Sequence, residues 1–148
     1  MEFREAISSD LEAIMDVRFS VKENVLSNPD LVTIADCEDF IFRRGKGWVC
    51  VVDEKVVGFS IVDLVENNIW ALFVRPEFAQ QGIGKQLHNL MLDWYFSQTH
   101  KTVWLGTDPG TRAEAFYRKS GWQHIGMYGN EYKFEMTYSD WNQQNNKV

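Results

Sequence analysis

The sequence predicts a single α/β domain whose elements follow the order β-α-α-β-β-β-α-β-α-β-β. The chain has 148 residues, 45% of them apolar, which is enough for one core. A strand, a helix and another strand follow one another across residues 69–107, and this succession predicts a parallel strand pair with a right-handed crossover. Two hairpins, at residues 48–65 and 124–137, predict antiparallel strands around that pair.

The N-terminal third is predicted to contain one strand and two helices. Residues 3–6 form the opening strand, and the segment Ser9-Asp10-Leu11-Glu12 has the pattern of a capping box that starts the first helix. Residues 24–29 interrupt the helical pattern. The second helix is predicted to begin near Thr33 and to end before the glycines at positions 45 and 47.

The middle of the chain is predicted to be sheet followed by a long helix. Strands at 48–52 and 56–65 form a hairpin, and residues 69–74 form a strand that is apolar throughout, as expected of a central strand. Pro76 stops the strand pairing. After Gly82 the apolar period changes from 2 to 3.6, which predicts a helix that ends near Gln98.

The C-terminal third is predicted to add three strands and one helix. A strand at 101–107 precedes a helix at 111–119, and strands at 124–128 and 132–137 form a hairpin around a turn at 129–131. The Asn- and Gln-rich end is low in complexity and is expected to fray. We therefore expect one domain over residues 1–140 and a flexible tail over residues 141–148.

Composition and charge disfavour several functional classes. The net charge of −6 disfavours a nucleic-acid-binding protein and is compatible with a cationic substrate. The first residues lack an apolar signal core, and no apolar run approaches the roughly 20 residues of a membrane span. We therefore expect a cytoplasmic protein with neither membrane nor nucleic-acid partners.

The cysteines and histidines give no sign of a metal or redox site. Cys37 and Cys50 lack CxxC spacing and lie in apolar patterns, so we expect reduced core residues. His88, His100 and His124 show no ligand spacing, and no metal is expected.

A glycine-rich turn opens the long helix. In Gln81-Gly82-Ile83-Gly84-Lys85, two glycines surround the first helical amides, which lack internal partners and carry partial positive charge. Glycine lets a phosphate approach such amides closely. Lys85 opposes the helix dipole unless a polyphosphate is bound nearby. The pattern indicates a phosphate site, and the alternative is a tight turn without a ligand.

Two segments together resemble the motifs of the GCN5-related N-acetyltransferase (GNAT) family. The Gln81–Gly84 segment matches the end of the family's pyrophosphate motif, Arg/Gln-x-x-Gly-x-Gly/Ala, with Ala79 at the Arg/Gln position. The segment from Gly110 to Trp122 matches Asn-x-x-Ala-x-x-Phe-Tyr-x-Lys-x-Gly-Phe, with Gly110 for the Asn and Trp122 for the final Phe. The departure at Ala79 is expected to weaken cofactor binding without abolishing it, and Gly110 removes a possible side-chain contact to the cofactor's amide arm.

The resemblance covers nearly the whole chain and implies a mixed, mostly antiparallel sheet of about seven strands flanked by about four helices. It also implies acetyl-CoA as the acetyl donor, no metal, and direct transfer to a primary amine in a ternary complex, by a monomer or homodimer. The acceptor class, a small molecule or a peptide amine, stays open. The alternatives are a non-catalytic acetyl-CoA-binding sensor module and a nucleotide-binding α/β domain.

The resemblance also assigns the cofactor contacts. The pantetheine arm is expected to enter between the two parallel strands like an added strand, and the amide of Phe73 or Val74 is expected to polarise the thioester carbonyl. The residues expected to bind the cofactor are Leu72, Phe73, Val74, Gln80, Gln81, Gly82, Ile83, Gly84, Lys85, Ala115, Phe116 and Lys119.

The resemblance makes Tyr117 the general acid, because a hydroxyl with a pKa near 10 stays protonated and can donate toward the leaving sulfur. A core tyrosine is the alternative. An amine attacks only when neutral, so a base is also expected, and Glu66 is ranked ahead of Asp63 and Asp108. Each of these carboxylates has a turn or surface role as its alternative. Glu23, Asn24 and Trp70 are expected to contact the acceptor.

Overall fold

Seven strands form one sheet in the order β1-β2-β3-β4-β5-β7-β6 in the computed structural model, which describes residues 1–24 and 31–145. All neighbouring strands are antiparallel except β4 and β5, which are parallel, as predicted. The strands are β1 (Glu2–Glu5), β2 (Gly45–Val52), β3 (Lys55–Asp63), β4 (Asn68–Val74), β5 (Val103–Thr107), β6 (Gln123–Tyr128) and β7 (Glu131–Met136).

Five α-helices lie in the described residues, one more than the sequence indicated. They are α1 (Leu11–Ser20), α2 (Ile34–Asp39), α3 (Ile83–Gln98), α4 (Arg112–Lys119) and α5 (Tyr138–Asn145). A π-helical turn, Phe40–Arg44, extends α2 up to β2. The predicted break at residues 24–29 lies outside the described residues except for Asn24.

Helices cover the sheet on both faces, and each face has its own apolar core. The α3 face buries side chains such as Leu87, Met91 and Phe134. The α1 face buries others, such as Ile14 and Phe59. Burial on both faces explains why β3 is apolar at consecutive positions instead of alternating.

The start of α1 differs from the predicted capping box. A 3₁₀ turn, Ser8–Asp10, precedes the helix, so Asp10 is at the N-cap position of α1 and makes no side-chain capping hydrogen bond to it. The Asp10 carboxylate accepts a hydrogen bond from the Ile7 amide at 2.8 Å and pairs with both terminal nitrogens of Arg4. The second helix begins as predicted, because Thr33 and Asp36 form a reciprocal capping box.

The expectation of a tail from residue 141 is wrong as far as residue 145. Helix α5 extends to Asn145, and Trp141 on it is 95% buried against the α3 face. Its indole Nε1 donates to Asp93 Oδ1 at 3.2 Å. One buried tryptophan therefore anchors a segment whose polar composition alone indicated fraying.

The described residues contain no group of histidine, cysteine and carboxylate side chains arranged to hold a metal ion. Cys37 and Cys50 are buried free thiols, in agreement with the sequence. Burial raises the pKa of the Cys37 thiol to about 11, which keeps it unreactive. Within the same residues, every helix is too short or too polar to cross a bilayer.

Candidate active site

A gap opens in the sheet where the two parallel strands diverge. β4 and β5 pair at Asn68 and Trp104, and the Trp104 amide donates to the Asn67 carbonyl at 3.0 Å. Along the rest of their described lengths no pairing joins the two strands. β4 has a bulge at Trp70: Ala71 pairs with Ile61 of β3 and Ile69 pairs with Val62, so Trp70 between them has no partner. Such a bulge bends the strand. The gap therefore widens toward the carboxyl ends of β4 and β5.

The backbone of β4 presents amides to this gap. Amides of a strand alternate between its two neighbours. The Arg75 amide donates to the Val57 carbonyl at 2.8 Å, and the register with β3 stays regular back through Phe73. The Phe73 amide thus faces β3, and those of Leu72 and Val74 face the gap. Of the two donors expected from the sequence, only Val74 is placed to meet a ligand there.

The N-terminus of α3 lies beside the gap and is sterically open. Gly82 caps the helix with a φ of 84°, and no atom lies within 4 Å of a Cβ built on it. A Cβ on Gly84 would meet only Val74 Cγ2, at 3.8 Å. The first hydrogen bond of the helix runs from Gln86 to the Gly82 carbonyl, so the preceding amides have no helical partner. Gln80 also has a positive φ, of 63°. The backbone of this turn is therefore accessible to a ligand, and side chains larger than those of the glycines would reduce the space.

A cleft of about 1920 Å³ connects this turn to the gap and continues through to the α1 face. That volume exceeds the roughly 300–1,000 Å³ of a drug-sized pocket and leaves room for two substrates. All of the predicted site residues line it except Gln81 and Ile83. Ile83 is a core side chain, so only its backbone could meet a ligand. The predicted residues along the cleft are Glu23, Asn24, Glu66, Trp70, Leu72, Phe73, Val74, Gln80, Gly82, Gly84, Lys85, Ala115, Phe116, Tyr117 and Lys119.

Tyr117 borders the cleft from the α3 face. Its ring packs edge-on against Phe116 and Trp122. Burial raises the pKa of the Tyr117 hydroxyl well above its usual value, so the group stays protonated. Among the described residues, this hydroxyl has no hydrogen-bond partner. The structure thus combines the two alternatives from the sequence, a core ring and a donor available to the cleft.

Asp63 and Glu66, two of the carboxylates that the sequence offered as the base, differ in exposure and in their polar partners. Asp63 is almost fully buried and pairs with both Arg44 Nε and Nη2, the latter at 2.7 Å. It also accepts hydrogen bonds from the amides of Val65 and Glu66. Asp63 is therefore a structural residue. Glu66 is exposed in the turn before β4, at the end of the sheet where β4 and β5 are still paired.

Glu23 and Asn24, which were predicted to contact the acceptor, make hydrogen bonds within the protein. Both carboxylate oxygens of Glu23 accept from the Arg112 amide at 3.0 Å, which stabilises the start of α4. Asn24 accepts from the Asp108 amide at 2.8 Å and donates to Thr107 Oγ1 at 3.2 Å. These contacts tie the segment after α1 across the carboxyl end of β5. Both residues line the cleft, but their polar groups already have partners.

Trp70 forms an aromatic wall on the α1 face. Its ring stacks on Phe40, with centroids 4.1 Å apart and an interplanar angle of 8°. The Arg44 guanidinium lies over the Phe40 ring, 4.5 Å from its centroid. Arg18 similarly lies 4.2 Å from the Phe73 centroid and donates to the Asn24 carbonyl. The α1 side of the cleft is therefore aromatic, with guanidinium groups stacked on its rings.

Sequence reasoning missed Glu131, which it assigned to the last hairpin turn. The structure places Glu131 at the start of β7, where its half-buried side chain lines the cleft. Burial raises the pKa of this carboxyl, the Asp108 charge raises it further, and Arg18 opposes the rise. Gly106 was the available signal, because a glycine inside β5 marks a close approach of another group.

The sequence model of the Acetyltransferase (GNAT) family matches residues 11–122, which is more than half of the chain. The chain belongs to the GNAT acetyltransferase family. The match spans α1 to Trp122 and so includes both the glycine turn and the α4 segment.

Solved structures have the same GNAT fold at low sequence identity. The PaiA N-acetyltransferase of Thermoplasma acidophilum, crystallised with coenzyme A, has a TM-score of 0.80 at 20% identity, over 93% of this chain and 98% of that one. A GNAT acetyltransferase of Staphylococcus aureus Mu50 has a TM-score of 0.80 at 18% identity, over 93% and 98%. The ribosomal-protein-S18-alanine N-acetyltransferase of Escherichia coli has a TM-score of 0.72 at 18% identity, over 91% and 90%.

The Trp122 departure from the GNAT motif has a structural partner in this chain. Trp122 Nε1 donates to His88 Nε2 at 2.9 Å, inside the α3-face core. The other ring nitrogen of His88 therefore carries the proton and donates to Asn89 Oδ1 at 2.9 Å. Burial lowers the pKa of His88 to about 4, so the imidazole is neutral near pH 7. His88 thus satisfies the indole N–H that Trp122 brings into the core.

Proposed function

We propose that this chain is an acetyl-CoA-dependent N-acetyltransferase that acetylates a primary amine by direct attack in a ternary complex. The observation that carries the proposal is the open N-terminus of α3 beside the gap between β4 and β5. Free amides at Gly82 and Gly84 suit a diphosphate, and the gap suits an extended pantetheine arm. Coenzyme A has both groups, and one structural neighbour was crystallised with it.

The chain's own residues would then divide the work of acetyl transfer. The Val74 amide donates a hydrogen bond to the thioester oxygen, which gains negative charge during attack. The Tyr117 hydroxyl donates toward the sulfur as its bond to carbon breaks. Lys85 and Lys119, both at the edge of the cleft, attract the cofactor's phosphates. The acetyl donor supplies an activated thioester, and the protein supplies orientation and electrostatic stabilisation.

An amine panel tests the proposal. Wild-type protein is incubated with acetyl-CoA and, separately, an alkyl diamine, an aromatic amine, a peptide with a free N-terminus and a peptide with a free lysine. We expect amine-dependent release of the CoA thiol with at least one acceptor. Tight CoA binding without turnover on any amine would instead indicate the sensor module.

A further inference from the structure

We infer that Glu131 accepts the proton that the amine must lose in order to attack, an inference that rests on the proposed acetyl transfer. Glu131 lies on β7, beyond β5 from the gap and on the sheet face opposite to Tyr117, and its carboxylate lies against Gly106 at the edge of the gap. An amine approaching from the α1 face would meet this carboxylate first, and the sulfur would leave toward the α3 face. The acceptor is then a primary amine that arrives as an ammonium ion.

The alternation of side chains places these two groups on opposite faces. Leu105 and Phe134 pack into the α3-face core. Side chains alternate along a strand, so Gly106 on β5 and Glu131 on β7 face α1. Tyr117 packs in the α3-face core. A thioester lying in the gap would therefore have a proton acceptor on one side and a proton donor on the other.

Glu131 occupies the space that a side chain on β5 would otherwise fill. A Cβ built on Gly106 lies 2.8 Å from Glu131 Oε1 and 3.3 Å from its Cδ. Gly106 lies two residues beyond Trp104, the residue of β5 that pairs with β4, so it borders the gap. The missing side chain lets the carboxylate lie against β5 at the edge of the gap.

The surroundings of Glu131 favour a role in proton transfer. Within the described residues its carboxylate has no hydrogen-bond or ion-pair partner. The charged groups that act on it are Asp108 from the loop after β5 and Arg18 from α1, whereas Lys133, two residues along the same strand, lies over the Trp104 ring. Burial and Asp108 raise its pKa, which makes it a stronger base than an exposed carboxylate. Glu66, by contrast, is exposed at the closed end of the gap.

The proposed step conserves atoms and charge. The ammonium gives one proton to Glu131, and the neutral nitrogen forms a bond to the acetyl carbon. The carbon–sulfur bond breaks, and its electron pair stays on the sulfur, which Tyr117 stabilises by a hydrogen bond. The thiolate takes the second proton that the nitrogen loses, and Glu131 releases the first to solvent. The products are an N-acetyl amine, free CoA and one proton.

Glu131→Gln tests the inference, because it keeps the shape of the side chain and removes the base. We expect kcat/KM to fall about 100-fold or more, the lower range for a general base. The Kd for CoA should stay within about twofold. The deficit should shrink as the pH approaches about 10.4, where an alkyl amine is neutral without help. A purely structural role would lower the rate equally at every pH.

Glu135→Gln is the matched control. Glu135 lies on the same strand and the same sheet face as Glu131, and the substitution makes the same chemical change. It should keep near wild-type kcat/KM. Gly106→Ala should displace the Glu131 carboxylate and lower kcat/KM, yet add little loss in the Glu131→Gln background, because both changes remove one function.

The outcomes separate this inference from the proposed function. If the wild type acetylates an amine and Glu131→Gln does so equally well at pH 7, the inference is wrong and acetyl transfer stands. The same holds if Glu66→Gln alone removes the base-dependent rate. If the wild type acetylates none of the tested amines, both proposals fail.

Discussion

At the scale of single residues, Tyr117 combines a buried ring with a hydroxyl that has no hydrogen-bond partner among the described residues. A hydroxyl that served the fold would be hydrogen-bonded in a native core. Its removal should therefore affect the chemistry more than the stability.

Tyr117→Phe should lower kcat about 10- to 100-fold, because a hydrogen bond to a charged group contributes about 1.5–3 kcal/mol. The Kd for CoA and the free energy of unfolding should change little. Steady-state kinetics, CoA titration and urea unfolding measure the three quantities. An unchanged kcat across the pH range would show that the hydroxyl has no part in the reaction.

Glu131 shows where single-residue prediction from sequence reaches its limit. Tyr117 and the glycine turn at Gly82 and Gly84 were named from local motifs, and all three residues line the cleft. Glu131 reaches the gap through the pairing of β7 with β5, in which Gly106 faces Lys133. That pairing joins distant segments, so Gly106 alone marks a close approach without showing which residue approaches. The sequence ranked Glu66 ahead of Asp63, and the structure shows Glu66 exposed and Asp63 paired with Arg44.

At the scale of elements, α3 connects the glycine turn at its N-terminus to a core histidine. His88 lies on the inner face of the helix, almost completely buried. Its folded-state pKa of about 4 lies below the value of about 6.5 expected in the unfolded chain. Between these two pH values His88 is protonated in the unfolded state and neutral in the folded state. The free energy of unfolding that is present above pH 6.5 is therefore partly lost as the pH falls toward 4.

His88→Gln should reduce this pH dependence, because glutamine can accept from Trp122 without titrating. Each pKa unit corresponds to about 1.36 kcal/mol, so between pH 7 and pH 4.5 the wild type should lose about 2 kcal/mol more than the variant. Urea unfolding at the two pH values measures the difference. Equal losses would place the His88 pKa near its ordinary value.

Element boundaries were predictable where capping or periodicity was strong, as in α3 and the Thr33 start of α2. Two elements depended on tertiary contacts. Asp10, at the start of α1, pairs with Arg4 of β1, and α5 depends on burial of Trp141. Capping and composition patterns do not show these contacts, so the sequence began a capping box at Ser9 and treated the residues from 141 as a tail.

At the scale of the whole molecule, one helical layer covers each face of the sheet, and the sheet opens into a gap between β4 and β5. The α3 face carries the glycine turn and Tyr117, and the α1 face carries Arg18 and the Trp70 wall. Under the proposed function, the two substrates would approach from opposite faces. α5 closes the α3 layer, because Trp141 packs beside His88 with ring centroids 5.7 Å apart.

Trp141→Ala should destabilise the whole domain by about 3–5 kcal/mol, the usual cost of removing a large buried aromatic side chain. Gln143→Ala, on an exposed position of the same helix, should change the free energy of unfolding by less than about 0.5 kcal/mol. Urea denaturation of both variants checks this. A small loss for Trp141→Ala would restore the picture of a tail that begins at residue 141.

The most direct test is calorimetric titration of CoA into the wild type and Gly84→Val, with Gln86→Ala as a control in the same helical turn. The valine side chain would fill the space beside Val74 where the cofactor is expected to lie. We predict saturable binding by the wild type and the control, and at least about tenfold weaker binding by Gly84→Val, or about 1.4 kcal/mol. No heat with the wild type at millimolar CoA, or equal affinity for all three proteins, would contradict the account.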